Sequence, residues 1–530
     1  RVTPRPPARA TARGVTQRLT GRLLSWCASL IQALSRGKIE SAVGVTIGVV
    51  WVLSAPLLVA CSIADFIDGG PDYLALLVTG VAIEIAGLLV VRLSSFPSSL
   101  PISRLFAAVA CGASAALVAV TAAHLATGAT SNLDVAIVEA AATITGTNAS
   151  TINPEVLSLG MLLFRALGQW LSAAAIIIVL VRVLPHLGVG GLDADGGVAT
   201  RSARRLAPRS GSTMARLVTI YVALTGLLGL AFLLAGMPFV DSLVHSLTTI
   251  SSGGFSSRMG SIASFDSATI EWITIVGMFA AGTSLPLIFR AMRRGDLHRF
   301  VRSLEFRVYV GLIATVTFAV LAWSDGLPTA STIRHAIFLT VSSISTTGHI
   351  AGDMASVSFG GEALLLVLMA VGGMSASVAG GFKVMRFMVL GQYIGRELRR
   401  SIHPTAVEKI HLGRSSIGET ALARIIGELF LATMLLVPTV LVLGADGLDI
   451  EGAFTFAVSI MSNVGVGFGE FGPTGHLGSV GAIGHVAAAL LMVIGRISVT
   501  PVLVALGGVG EPAQTALRRW RMSRREVVVR

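Results

Sequence analysis

The chain has 530 residues, 53% of them hydrophobic and 13% charged, with a formal net charge of +12 and a mean hydropathy of +0.80. That balance excludes a soluble globule, and many apolar runs reach the roughly 20 residues needed to cross a bilayer. The basic residues lie in loops between these runs, which fits the positive-inside rule and argues against nucleic acid as a partner. Cys27, Cys61 and Cys111 lack the spacing of a disulfide framework or a metal site.

Residues 1–40 read as a basic cytosolic arm, either an amphipathic helix on anionic lipid or an unfolded segment. Their opening lacks the pattern of a cleavable signal peptide. Region 41–98 holds two spans, about 42–64 and 73–93, joined by an acidic turn. Four units follow, at 99–190, 210–294, 303–400 and 415–510, and 511–530 is a basic cytosolic tail.

Each unit reads as a helix, a half-length helix, a polar-glycine loop and a second helix. In the first unit these helices are 104–126, 133–142 and 157–184; in the second, 214–236, 240–250 and 268–292. The third has 306–323, 331–344 and an interrupted span at 361–394, and the fourth has 418–443, 450–461 and 480–507. The expectation is an all-α polytopic membrane protein, with four pseudo-repeats around one pore and two extra N-terminal helices. Ten crossings put both termini on one side. Arginines crowd the loops on that side, whereas the loops bearing the polar-glycine segments hold only Arg258 and Arg334 as basic residues. The asymmetry predicts cytosolic termini and polar-glycine loops facing outside.

Those loops contain Thr143-Ile144-Thr145-Gly146, Ser251-Ser252-Gly253-Gly254, Ser345-Thr346-Thr347-Gly348 and Ser462-Asn463-Val464-Gly465. Non-helical backbone at membrane depth survives only when it is buried in protein or lines a water-filled path. Uncharged carbonyl and hydroxyl oxygens, with glycine allowing the backbone to turn them inward, can replace the hydration shell of a monovalent cation. A single such tetrad would read as a small-residue helix contact; four in equivalent places predict a filter. The half-helices would aim their partly negative C-terminal ends at a cation.

In the third unit, Gly372-Gly373-Met374-Ser375-Ala376-Ser377-Val378-Ala379-Gly380-Gly381 interrupts the second helix, and Lys383 follows. Glycine pairs at both ends disfavour continuous helix, so an intramembrane loop that gates the pore is expected, the alternative being a kink packed on a neighbour. Arg496 lies inside an apolar run, where a charge is costly and tends to face a cavity. A pore-facing cation there would slow a permeating one. Glu139, Asp353 and Glu470 read as acids that concentrate cations at the entrance, or as solvated loop acids, and His349 as the one histidine beside a filter glycine.

VEAAATITGT, MPFVDSLVHSLTTISSGGFS, SSISTTGHIAGD, GGMSASVAGGFKVMR, HPTAV, and SNVGVGFGEFGP with IGRISV together resemble the TrkH membrane subunit of the Trk/Ktr/HKT potassium transporter superfamily, over about 130–507. The resemblance implies a potassium filter lined by carbonyls at Thr145-Gly146, Gly253-Gly254, Thr347-Gly348 and Val464-Gly465, with Gly372 to Gly381 as gate and Arg496 facing the pore. It also implies a homodimer, a cytosolic nucleotide-binding regulatory ring, a bacterial cytoplasmic membrane, and that glycine in place of serine at Gly146 favours potassium. His349 replaces the usual aromatic residue and Ser498 the family's acidic residue. No organic cofactor is expected.

The reading is therefore potassium uptake through a gated, carbonyl-lined filter. Alternatives are a sodium-permeable or nonselective member of the same fold, and an ion-coupled secondary transporter. An enzyme is not expected, because the apolar runs hold no paired carboxylates, nucleophile set or metal cluster placed for chemistry.

Overall fold

A computed structural model of the protein describes residues 39–95, 102–182, 210–295, 298–324, 328–352, 358–403, 410–412, 415–468, 477–499 and 502. Most of the basic arm, the arginines at 201–209, the tail 511–530, and Asp353 and Glu470 lie outside them.

The described chain is almost entirely helical. Helices α1 (Ala42–Asp68) and α2 (Tyr73–Leu93) precede the repeats. The first repeat is α3 (Ile102–Ala126), α4 (Leu133–Thr145) and α5 (Leu159–Arg182), and the second is α6 (Ser210–Leu234), α7 (Phe239–Ile250), α8 (Ala268–Gly282) and α9 (Leu285–Arg294). A short α10 (His298–Arg302) leads to the third: α11 (Leu304–Ala322), α12 (Ala330–Ile344), α13 (Phe359–Val371) and α14 (Val384–Ile402). The fourth is α15 (Glu419–Ala445), α16 (Ile450–Met461) and α17 (Ala482–Ile497). Two small strand pairs accompany them: β1 (Ile39–Glu40) runs parallel to β2 (Ser94–Ser95), and β3 (Ile410–Leu412) forms a hairpin with β4 (Ser415–Ile417).

Among the described residues, seven helices are long and apolar enough to cross a membrane: α1, α2, α3, α5, α6, α11 and α15. The remaining expected crossings are broken. The span expected over 268–292 bends by 104° between α8 and α9. Its cause is local: Ser284 and the proline at the first turn of α9 start a new helix instead of continuing α8. The third repeat's closing span is cut by residues 372–383, and α17 ends at Ile497, ahead of Ser498 at φ 77°.

The helices α1 and α2 approach closely along glycines; a Cβ on Gly48 would lie 2.9 Å from the Gly87 carbonyl. The buried Asp65 carboxylate accepts from the Asp72 amide at 2.8 Å and from the Gly160 amide of α5 at 2.9 Å, which ties the N-terminal pair to the first repeat.

Packing among the repeats is cyclic. Half-helix α7 rests on α5 of the repeat before it, α12 on α8, and α16 on α13. Half-helix α4, at the start, rests on α17 at the end. The order is a closed ring in which repeats 1 and 3 face each other across the centre. At the closing contact, His485 Nδ1 and Asp134 Oδ2 lie 2.6 Å apart, and residues from α4, α15, α16 and α17 share one apolar cluster.

Candidate functional site: four converging segments

Each half-helix ends in the same turn. The amides of Thr147, Gly253, Thr347 and Val464 each donate to the carbonyl five residues back, on Ala142, Thr248, Ser342 and Ser459. The residue before each of these amides is left-handed: Gly146 (φ 65°), Ser252 (54°), Thr346 (54°) and Asn463 (60°). This turn satisfies helix-end carbonyls and launches a non-helical segment toward the centre.

The shared turn fixes a register that differs from the tetrads. Gly146 corresponds to Ser252, Thr346 and Asn463. The counterpart of Gly254, Gly348 and Gly465 in the first repeat is Asn148. Alignment on the glycine alone shifts the first segment by two residues, because here glycine takes the left-handed cap that serine, threonine and asparagine take elsewhere. The expected equivalence of Gly146 with the other three glycines is thereby corrected.

The segments do converge. A Cβ on Gly146 would lie 3.7 Å from Gly253 Cα, and one on Gly348 would lie 2.5 Å from the Val464 carbonyl. A Cβ on Gly254 would overlap the Thr347 carbonyl. Side chains lace neighbours together: Ser252 Oγ donates to the Ser345 carbonyl at 2.9 Å, and Asn463 Nδ2 to Thr147 Oγ1 at 3.1 Å. Ile144, inside α4, offers its carbonyl to Ser172 Oγ. Thr143 Oγ1 and Thr145 Oγ1 bond within α4, to Glu139 and Ala141 carbonyls, so these hydroxyls face the helix. Ser251 Oγ likewise donates back to Thr248.

Several supports escaped sequence reading. Gln169 of α5 donates to the carbonyls of Gly253 at 2.9 Å and Thr147 at 3.3 Å. A glutamine inside an apolar helix was the available signal. Glu139 is no entrance acid: fully buried, it pairs with Arg165 at 2.9 Å and accepts from the Thr151 amide at 2.6 Å and Ser150 Oγ at 2.8 Å. Arg165 also lies over the Phe255 ring, 4.1 Å from its centroid. The imidazole of His349 is buried behind the segment, bonded to Thr249 Oγ1 at 2.8 Å, where it joins repeats 2 and 3.

The interrupting loop is bound to two of the four segments. Gly380 N donates to Thr346 Oγ1 at 2.5 Å and Gly381 N to the Ser462 carbonyl at 3.0 Å. Gly372 and Gly381 sit back to back at φ 71° and 70°, and a Cβ on Gly373 would meet Ala379 and Ser377. Opposite these contacts, the amide of Ser375 donates to Glu305 Oε1 of α11 at 2.5 Å, and Lys383 Nζ donates to the Ala379 carbonyl. The Arg496 guanidinium reaches within 3.7 Å of a Cβ position on Gly146, and its Nε and Nη2 have no hydrogen-bond partner among the described residues.

The sequence profile of TrkH, described as cation transport protein, matches residues 108–507. The chain belongs to the TrkH family. The Trk system potassium uptake protein TrkH of Salmonella typhimurium is 32% identical over 62% of this chain and 69% of its own length. The protein of that name from Halomonas elongata is 32% identical over 70% of this chain and 77% of its own. In three dimensions, the crystal structure of the potassium transporter TrkH from Vibrio parahaemolyticus superposes with a TM-score of 0.80 at 26% identity, covering 88% of this chain and 98% of that one. As a TrkH family member the chain is a multi-pass helical membrane protein of cation transport.

Proposed function

We propose that this chain carries potassium into the cell through a filter built from Gly146 to Asn148, Ser252 to Gly254, Thr346 to Gly348 and Asn463 to Gly465. The single observation that supports this most is the convergence of four equivalent, uncharged backbone segments at the centre of the cyclic helix packing. Carbonyl oxygens on such segments suit a small dehydrated cation. The driving force is the membrane potential, worth about 2.3 kcal/mol per charge for each 100 mV.

In this reading the loop Gly372 to Gly381, with Ser375, Ser377 and Lys383 at its tip and base, is the gate. Its hydrogen bonds to Thr346 and Ser462 would hold it against the filter, and Glu305 would hold its far side. Arg496 is the electrostatic barrier beside it. The proposal includes filters facing outside, cytosolic termini, a homodimer and a cytosolic nucleotide-binding regulatory ring.

The test is ion flux through purified protein in liposomes, with potassium, rubidium and sodium compared. Potassium and rubidium should pass faster than sodium; equal rates would replace this reading by a nonselective pathway. Arg496→Ala should raise basal potassium flux about tenfold, as expected from removing about 1.4 kcal/mol of repulsion. Unchanged flux in a well-folded variant would leave Arg496 a packing role only.

A further inference from the structure

At the position where three segments carry glycine, the first carries Asn148. Gly254, Gly348 and Gly465 have φ of 73°, 74° and 91°, whereas Asn148 is not among the left-handed residues. Its backbone therefore follows a different path. The Asn148 amide donates to the Val464 carbonyl at 2.9 Å, and Nδ2 donates to the Gly348 carbonyl at 2.7 Å.

The second bond is the informative one. Repeats 1 and 3 face each other across the ring, so a donor of the first in direct contact with a carbonyl of the third spans the centre. A separation of 2.7 Å leaves no gap for an ion between those groups. Asn148 also fills the middle: its Cβ would lie 2.8 Å from a Cβ on Gly254 and 3.0 Å from one on Gly348. Two carbonyls, at successive positions of the register, are thus occupied by N–H groups of the protein itself.

We propose that Asn148 is a latch across the filter, closing the pathway at the level of the Gly348 carbonyl until its side chain swings off the axis. This rests on the reading of the four segments as an ion filter. Asparagine suits such a device, because it carries a donor long enough to cross the ring and is one of the few non-glycine residues that readily adopts the left-handed backbone of its three counterparts. Release of the side-chain bond would return the Gly348 carbonyl to the pathway.

The experiment uses the full chain in potassium-loaded liposomes and follows uptake of tracer rubidium by the natural protein, Asn148→Gly and Asn148→Ser. Asn148→Gly removes the crossing donor and permits the backbone of the other three segments; uptake should rise about tenfold, the equivalent of one net hydrogen bond. Serine is too short to reach Gly348, and Asn148→Ser should give an intermediate rise with the same elution volume in gel filtration as the natural protein. If the natural protein takes up rubidium and neither variant is faster, the latch is overturned and the filter reading stands. If none of the three takes up rubidium, the filter reading falls and the latch with it.

Discussion

Gly348→Ser is expected to cut potassium flux at least tenfold and bring the potassium-to-sodium ratio toward one. Gly348 has φ 74°, a conformation that costs an L-residue about 1–2 kcal/mol. A side chain there also starts 2.5 Å from the Val464 carbonyl and 3.0 Å from Asn148 Cβ. To make room, the Val464 carbonyl must turn away from the centre or the Asn148 backbone must shift. On the proposed reading, the cost falls on the coordination that would separate potassium from sodium, and only secondarily on folding. Paired fluxes of the two ions through liposome-reconstituted protein read it directly; an unchanged ratio would remove Gly348 from the filter.

Glu139→Ala should lower stability by about 3–5 kcal/mol, because it leaves the Arg165 guanidinium buried without its partner. The two side chains are 0% and 4% exposed. The loss extends past the ion pair, since the Thr151 amide and Ser150 hydroxyl, just beyond the first segment, also end on Glu139. Thermal unfolding in detergent should show a large drop, partly recovered by adding Arg165→Met. A small change, or no recovery, would mean that Glu139 is wet and not the buttress described above.

The four repeats were legible because half-length apolar runs ending in small polar residues are hard to explain otherwise. The interrupting loop was legible from Gly372-Gly373 and Gly380-Gly381. What was hidden followed from contacts distant in sequence. The role of Glu139 depends on Arg165, one helix later, and the support of Gly253 depends on Gln169, in another repeat. The register of the first segment is hidden for a different reason. Glycine marks three of the segments, yet the turn is defined by a hydrogen bond to the residue five back, and that bond puts Asn148 at the glycine position of the first. The bend between α8 and α9 had a local signal, Ser284-Leu285-Pro286, outweighed by the apolar content around it.

The contact of α4 with α17 has a consequence for biosynthesis. Asp134 and His485, which meet there, are 351 positions apart. A ribosome must emit all four repeats before the first half-helix meets its permanent neighbour. Until then the earliest oxygen-rich turn is inserted in lipid with one flank bare. Chains halted before residue 482 should therefore be held by insertion factors or degraded, and no fragment carrying fewer than four repeats can complete the circle.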